Sequence, residues 1–165
     1  MGIEFVPLAS GDEAALDGLL RAERWPFHAG GGRGVRWTGE GIRTFWITAG
    51  GDRAGVLRLY DLDGGPMFDL RLRAAYRGRG IGTVAVGWLT DWVFASFPEE
   101  NRIEGTTRED NAAMRRVFAR CGYTHEATYR KAWPVPGGAP MDSVGYAILR
   151  GDPRPVQAEG TRTGG

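Results

Sequence analysis

The stretch Arg77-Gly78-Arg79-Gly80-Ile81-Gly82 is where residue type and spacing most directly suggest chemistry. Glycines let successive backbone N–H groups turn toward one anion without Cβ obstruction, and a helix starting at such a turn adds the positive end of its dipole. Arg77 and Arg79 add charge-assisted donors suited to phosphate oxygens. Together with Thr83, the turn reads as a pyrophosphate cradle. Two familiar phosphate loops can be tested against it. A P-loop ends in Gly-Lys-Ser/Thr, and here Gly82 runs straight into Thr83 with no lysine. The dinucleotide fingerprint G-x-G-x-x-G/A is met formally by Gly80-Ile81-Gly82-Thr83-Val84-Ala85, so a nucleotide-binding alternative stays open on this motif alone.

Other reactive types are scarce. The one cysteine, Cys121, falls on the apolar face of an expected helix and reads as a buried spacer. The two histidines, His28 and His125, stand in separate segments without metal-ligand spacing, so no metal is expected. Aromatic residues cluster in Trp25-Pro26-Phe27-His28, Phe45-Trp46 and Tyr129-Arg130-Lys131-Ala132-Trp133.

The elements that must hold the turn are legible around it. Phe68, Leu70 and Leu72 alternate with Asp69, Arg71 and Arg73, which is strand periodicity. After the turn, Ile81, Val84, Ala85, Trp88, Leu89, Trp92 and Val93 follow helical spacing, and Pro98 closes that helix. Upstream, Ile3 to Val6 predicts a short strand, and Ser10 to Glu13 has the spacing of a capping box for a helix burying Leu16, Leu19 and Leu20. The glycine-rich stretch 25–34 breaks that helix and predicts a mobile loop or a short helix, where binding residues often lie. Thr44 to Ala49 and Ala54 to Tyr60, split by Gly50-Gly51-Asp52, predict a hairpin, and Asp63-Gly64-Gly65 leads into the central strand. Arg102 to Thr107 is a strand. Asp110 or Asn111 caps a helix over Met114, Val117, Phe118 and Cys121 that stops at Gly122. Tyr123 to Trp133 and Met141 to Leu149 are the last strands. The expected fold is α/β (α+β): a mixed, mostly antiparallel sheet of about seven strands with helices on both faces. It disfavours the doubly wound nucleotide-binding fold, which needs successive βα units. Residues 1–150 are expected to form one domain, and 151–165, poor in apolar residues, a disordered tail.

The 165 residues suffice for a core without staples. A balance of 21 Lys+Arg against 20 Asp+Glu gives no general attraction to nucleic acid or membrane. No run approaches the roughly twenty apolar residues of a membrane span, so a cytoplasmic protein is expected.

The pattern R-x-x-G-x-G, read as Arg77, Gly80 and Gly82 after a strand, resembles the acyl-CoA signature of the GNAT superfamily of N-acetyltransferases. A second block, Thr107-Arg108-Glu109-Asp110-Asn111, a helix, then Cys121-Gly122-Tyr123, resembles the later motif of members related to bacterial ribosomal-protein N-terminal acetyltransferases. The resemblance implies transfer of an acetyl group from acetyl-CoA to a primary amine, on a small molecule or a protein N-terminus, by direct attack. It places the coenzyme pyrophosphate on Arg77, Gly78, Arg79, Gly80, Ile81, Gly82 and Thr83, and pantetheine on the backbone of Leu70, Arg71 and Leu72. Asn111 either contacts the pantetheine arm or only caps its helix. For the base, the resemblance points to a carboxylate on the strand before Asn111, hence Glu104 first; Asp69, on the central strand, is the second choice. The position of the usual tyrosine acid holds Phe118, leaving Tyr123, Tyr129 or water for that role, or no dedicated acid at all. Trp25, Phe27, His28, Trp46, Tyr129 and Trp133 are the candidate acceptor contacts. A homodimer is compatible with the reading, and a non-catalytic CoA- or nucleotide-binding sensor is its alternative.

Overall fold

The computed structural model describes residues 2–28 and 34–155. In chain order the elements are β1 (Ile3–Pro7), α1 (Glu13–Ala22), β2 (Arg43–Ala49), β3 (Asp52–Tyr60), β4 (Met67–Leu72), a 3₁₀ turn (Ala74–Tyr76), α2 (Ile81–Ser96), β5 (Arg102–Arg108), α3 (Ala112–Arg120), β6 (Thr124–Trp133) and β7 (Met141–Leu149). They build one seven-stranded sheet in the order β1-β2-β3-β4-β5-β7-β6. All neighbours are antiparallel except β4 and β5, which α2 joins by a parallel crossover. The expected mixed sheet is therefore the observed one.

Strand alternation sets the layers. Phe45 and Ile47 enter the larger core with Ala85 and Leu89 of α2, whereas Trp46 between them enters a second core with Leu16 and Leu19 of α1. α3 contributes Phe118 to the α2 side, so helices cover both faces. α2 is buried over more of its circumference than its apolar stripe predicts: Val86, Thr90 and Phe94 join the stripe residues in the interior. The β2–β3 hairpin turns on Gly50 and Gly51, whose φ values of 62° and 90° suit a type I′ turn.

Two local expectations are corrected. The capping box at Ser10–Glu13 does not form. Asp12 is the N-cap but makes no capping bond; its carboxylate instead accepts from the Ala9 amide, Trp46 Nε1 and Arg53, tying the start of α1 to the sheet. The expected tail joins the fold through its described part. The Pro153 carbonyl lies 3.0 Å from where a Cβ on Gly122 would stand, and Arg154 pairs with Asp91. The rest of it, 156–165, lies outside the described residues, as do positions 29–33 of the glycine-rich loop. Among the described residues no helix is long and apolar enough to cross a membrane.

Candidate active site

β4 and β5 touch at one register position, Met67 opposite Glu104, where the Glu104 amide donates to the Pro66 carbonyl at 2.9 Å. Beyond that point the ladder ends and the strands part. The Arg73 amide donates to Ala54 on β3. Antiparallel alternation therefore aims the backbone groups of Arg71 and Asp69 at β3, and those of Leu70 and Leu72 at the opened side. Two side chains confirm the direction: His28 Nε2 lies 3.2 Å from the Leu70 carbonyl, and Arg77 Nε donates to the Leu72 carbonyl at 2.8 Å. The expected free edge on β4 thus belongs to Leu70 and Leu72. Arg71 is corrected, because its backbone is committed to β3 and its side chain lies on the opposite face.

On the α2 face, the opening leads to a groove of about 370 Å³ lined by Leu70, Leu72, Gly78, Gly80, Gly82, Thr83, Asn111 and Met114. Gly78 and Gly80 adopt φ of 72° and 81°, the left-handed region in which a side chain is strained. The amides of Arg79, Gly80, Ile81 and Gly82 donate to no group among the described residues. They stand at the N-terminus of the sixteen-residue α2. The result is a row of unpaired donors at a positive helix end, which suits an anion. A Cβ on Gly82 would stand 3.4 Å from Val117 of α3, an ordinary contact.

The two arginines differ in use. Arg77 lines the groove, but its guanidinium also donates to the carbonyls of Leu72 and Arg24, so it clamps the turn to β4 and to the segment after α1. Arg79 does not line the groove; its guanidinium stands 5.8 Å from the Tyr76 ring centre. Ile81 is a core residue at 1% exposure. Asn111 accepts from the Met114 amide at 3.2 Å, capping α3, and donates to Thr107 Oγ1 at 2.9 Å, fixing α3 to β5. Its cap role and its place at the groove coexist.

On the α1 face lies a second hollow of about 300 Å³, lined by Phe27, His28, Arg58, Tyr60, Asp69, Arg71, Thr106 and Trp133. Phe27, His28, Leu70, Asn111 and Met114 line both spaces, which therefore meet where the strands part. Here His28 Nε2 lies 3.1 Å from Asp69 Oδ1. Two oxygens, from Asp69 and Leu70, face this nitrogen, so the neutral ring carries its proton there and leaves its lone pair on Nδ1. Nδ1 is buried and has no partner among the described residues. Asp69 also takes a bidentate pair from Arg71, Nε to Oδ1 at 3.1 Å and Nη2 to Oδ2 at 2.8 Å. Burial opposes the charge on Asp69, but the hydrogen bonds from His28 and Arg71, with their charges, outweigh it and hold the carboxyl well below the usual carboxylate range.

The remaining expected site residues separate. Glu104 sits at the closed end of the opening and pairs with Arg102 at 2.6 Å, which pairs in turn with Glu126. It lines neither of the two meeting spaces but a broader depression with Arg36, Glu40, Asp61 and Asp63. Tyr123 is a core residue: its hydroxyl shares a 2.9 Å hydrogen bond with Thr90, its ring packs on Phe68 and Phe118, and burial pushes its phenol up from the usual value. That excludes it from the site. Trp46 is buried under Arg53 and lines none of these spaces, and Tyr129 lies half-exposed on β6 against Gly145. Trp25 borders the groove, Trp133 the hollow, and Phe27 both. Phe118 is fully buried and stacked on Tyr146 at 4.5 Å. Burial pushes the Cys121 thiol up to about 11, which suits a spacer and not a nucleophile. Sequence reasoning missed Arg58, Tyr60 and Thr106. For the first two a signal existed: they alternate with Leu57 and Leu59 on a central strand, where a polar face needs a reason.

Comparison with known proteins agrees with this geometry. The profile of the Acetyltransferase (GNAT) domain matches residues 17–124. A search of the curated proteins gives no match. Among solved structures, RimJ of Mycobacterium smegmatis in complex with CoA-disulfide aligns over 88% of this chain and 81% of its own, at 22% identity and a TM-score of 0.73. Spermidine N-acetyltransferase from Vibrio cholerae, in complex with CoA and spermine, aligns over 91% of this chain and 96% of its own, at 14% identity and a TM-score of 0.72. At these identities the likeness is one of fold.

Proposed function

Because the chain belongs to the GNAT acetyltransferase family, with acetyl-CoA as its cosubstrate, we propose that it acetylates a primary amine by direct attack on the thioester at the opening between β4 and β5. One observation carries this reading: two cavities on opposite sheet faces meet at Leu70, whose backbone N–H has no partner among the described residues. Such a passage lets a thioester and an amine approach one point from opposite sides, and that positioning supplies a large part of the rate of a two-substrate transfer.

The free amides of residues 79–82 hold the pyrophosphate, and the exposed edge of Leu70 and Leu72 pairs with the pantetheine arm. The Leu70 N–H is the donor for the carbonyl oxygen as it gains negative charge. The amine enters from the hollow on the α1 face. As its nitrogen bonds to the acetyl carbon and the carbon–sulfur bond breaks, His28 Nδ1 takes the amine proton and the sulfur leaves as thiolate. Asp69 fixes the His28 ring and stabilises its cation, but it is itself too acidic to serve as the base. With Phe118 in the core, no tyrosine acid is required, since a thiolate is a fair leaving group.

Release of free thiol from acetyl-CoA in the presence of an amine panel tests the reading, with thermal shift by CoA run alongside. Amine-dependent release at rates well above the coenzyme's own hydrolysis supports it. Stabilisation by CoA with no release for any amine would leave a CoA-binding sensor instead.

A further inference from the structure

Two guanidinium groups meet in the hollow on the α1 face, and only one carboxylate answers them. Arg71 is 2% exposed, and although Asp69 takes its Nε and Nη2, its Nη1 has no partner among the described residues. Arg58 lines the same hollow. Its Nη1 donates to the Arg36 carbonyl at 2.7 Å, while its Nε is buried and has no partner among the described residues. Both stand on the Trp37 ring, Arg71 at 4.9 Å and Arg58 at 5.6 Å from its centre. Burial disfavours the charged state of Arg58 most, and the Arg71 charge adds to that, while Asp69 opposes both from a distance. An unpaired buried donor costs about 1–3 kcal/mol, more when charged, and two facing like charges add to that. Of the acidic side chains in the neighbouring depression, Asp61 favours the Arg58 charge from a distance, but none forms an ion pair with it among the described residues. An arrangement with one positive charge in excess and two idle N–H donors is completed by a bound monoanion with two oxygens.

We propose that the acceptor amine carries a carboxylate, bound between Arg58 and Arg71 in the hollow beside His28. The proposal rests on the acetyl-transfer reading above and names the substrate class for the same site. A carboxylate matches the excess of one charge and offers two acceptors to two donors, whereas a phosphate monoester, at about −1.5 to −2 near neutral pH, overshoots it. A polyamine is disfavoured, since its second cation would stand against two guanidiniums. The same carboxylate could belong to a free amino acid or to the acidic first residue of a peptide. The roughly 300 Å³ of the hollow hold either group.

The experiment compares acids with their amides on the full chain with acetyl-CoA: glycine, β-alanine and γ-aminobutyrate against the three corresponding amides, a peptide beginning with Glu against one beginning with Gln, and spermidine. At least one acid is expected to exceed its amide by tenfold or more in kcat/KM, through KM. The pair showing the larger ratio identifies the free amino acid or the peptide as the source. Arg58→Gln should bring that ratio to within about threefold of one, by raising KM for the acid. If that variant fails to fold, Arg58→Lys, which keeps the charge and loses the fork, should give an intermediate ratio. Amides or spermidine turning over as well as the acids would overturn the proposal, as would a ratio that survives Arg58→Gln. Binding keeps the two readings apart. If no amine releases thiol, titration of the CoA complex with an N-acetylated amino acid and with its amide decides the subsite alone. Tenfold tighter, Arg58-dependent binding of the acid would keep the carboxylate site while acetyl transfer fell, and equal binding would remove both.

Discussion

The groove on the α2 face and the hollow on the α1 face share one opening but are built in different ways. The groove is made chiefly of backbone: free amides of residues 79–82, the edges of Leu70 and Leu72, and glycines held at positive φ, mostly within fifteen positions of one another. The hollow is made of side chains brought from the segment after α1, from β3, β4 and β5, and from the end of β6. A backbone site is insensitive to which side chains surround it, so it suits a coenzyme that stays the same. A side-chain site can be rebuilt one residue at a time, which suits an acceptor that differs between relatives. The comparisons fit that division: structures bound to CoA share this fold at 22% and 14% identity, and one of them holds spermine as well.

The largest expected effect breaks the backbone half. Gly80 has open space around it, and its constraint is a φ of 81° at the first turn of α2. Gly80→Val is expected to abolish CoA binding in a calorimetric titration, because a β-branched residue leaves that conformation and turns the amides away. The circular dichroism spectrum should stay native. Unchanged CoA affinity would remove the anion cradle from the site.

Next in size is the side-chain half. His28→Gln keeps a polar group of similar reach without a titrating nitrogen, so kcat/KM should fall roughly 10²- to 10⁴-fold near neutral pH with CoA affinity unchanged. Raising the pH should recover part of the loss, since more amine then arrives neutral. A flat response would return His28 to packing between Trp25 and Leu70.

A third prediction concerns stability. The Asp69 carboxyl is depressed in the folded state, so its contribution is present above the unfolded value of about 3.9 and is lost as the pH falls below it. Asp69→Asn leaves Arg71 buried without its counter-charge and should cost about 3–5 kcal/mol near neutrality. The gap from the native protein, measured by urea denaturation, should narrow as the pH drops below about 4. A gap independent of pH would mean that the pairing with Arg71 and His28 is not what holds this strand.

The same division explains what was legible in the sequence. All seven strands and the three α-helices could be placed from periodicity, glycine and proline, and the cradle could be found because its parts are neighbours in the chain. His28 and Asp69 were each visible as candidates. Their partnership was not, because 41 positions separate them and only the packing of the segment after α1 onto β4 brings them together. Tyr123 failed for the opposite reason: its neighbours in the motif suggested chemistry, while the burial of its ring between Phe68 and Phe118 is a long-range fact. The capping box failed because the helix starts only at Glu13, with Asp12 as its N-cap, and the Asp12 carboxylate is held by Trp46 and Arg53 from far along the chain.

The smallest expected effect falls on the residue that sequence reasoning favoured as the base. Glu104 has the right alternation: with Thr106 it points to the α1 face, the side proposed for the amine. Its distance along the strand is wrong, because it occupies the one position where β4 and β5 still pair, while the cavities meet further on, beside Leu70 and Asn111. Its charge is also engaged, through Arg102 to Glu126. Exposed ion pairs of this kind contribute about 0–1 kcal/mol, so Glu104→Gln should leave the fold unaltered and change kcat/KM by less than about threefold at any pH where the enzyme is folded. A fall of the size general-base catalysis supplies, about 10²-fold or more, with recovery at high pH, would put the proton on Glu104 through a chain of water. His28 and Asp69 would then be left to position the acceptor.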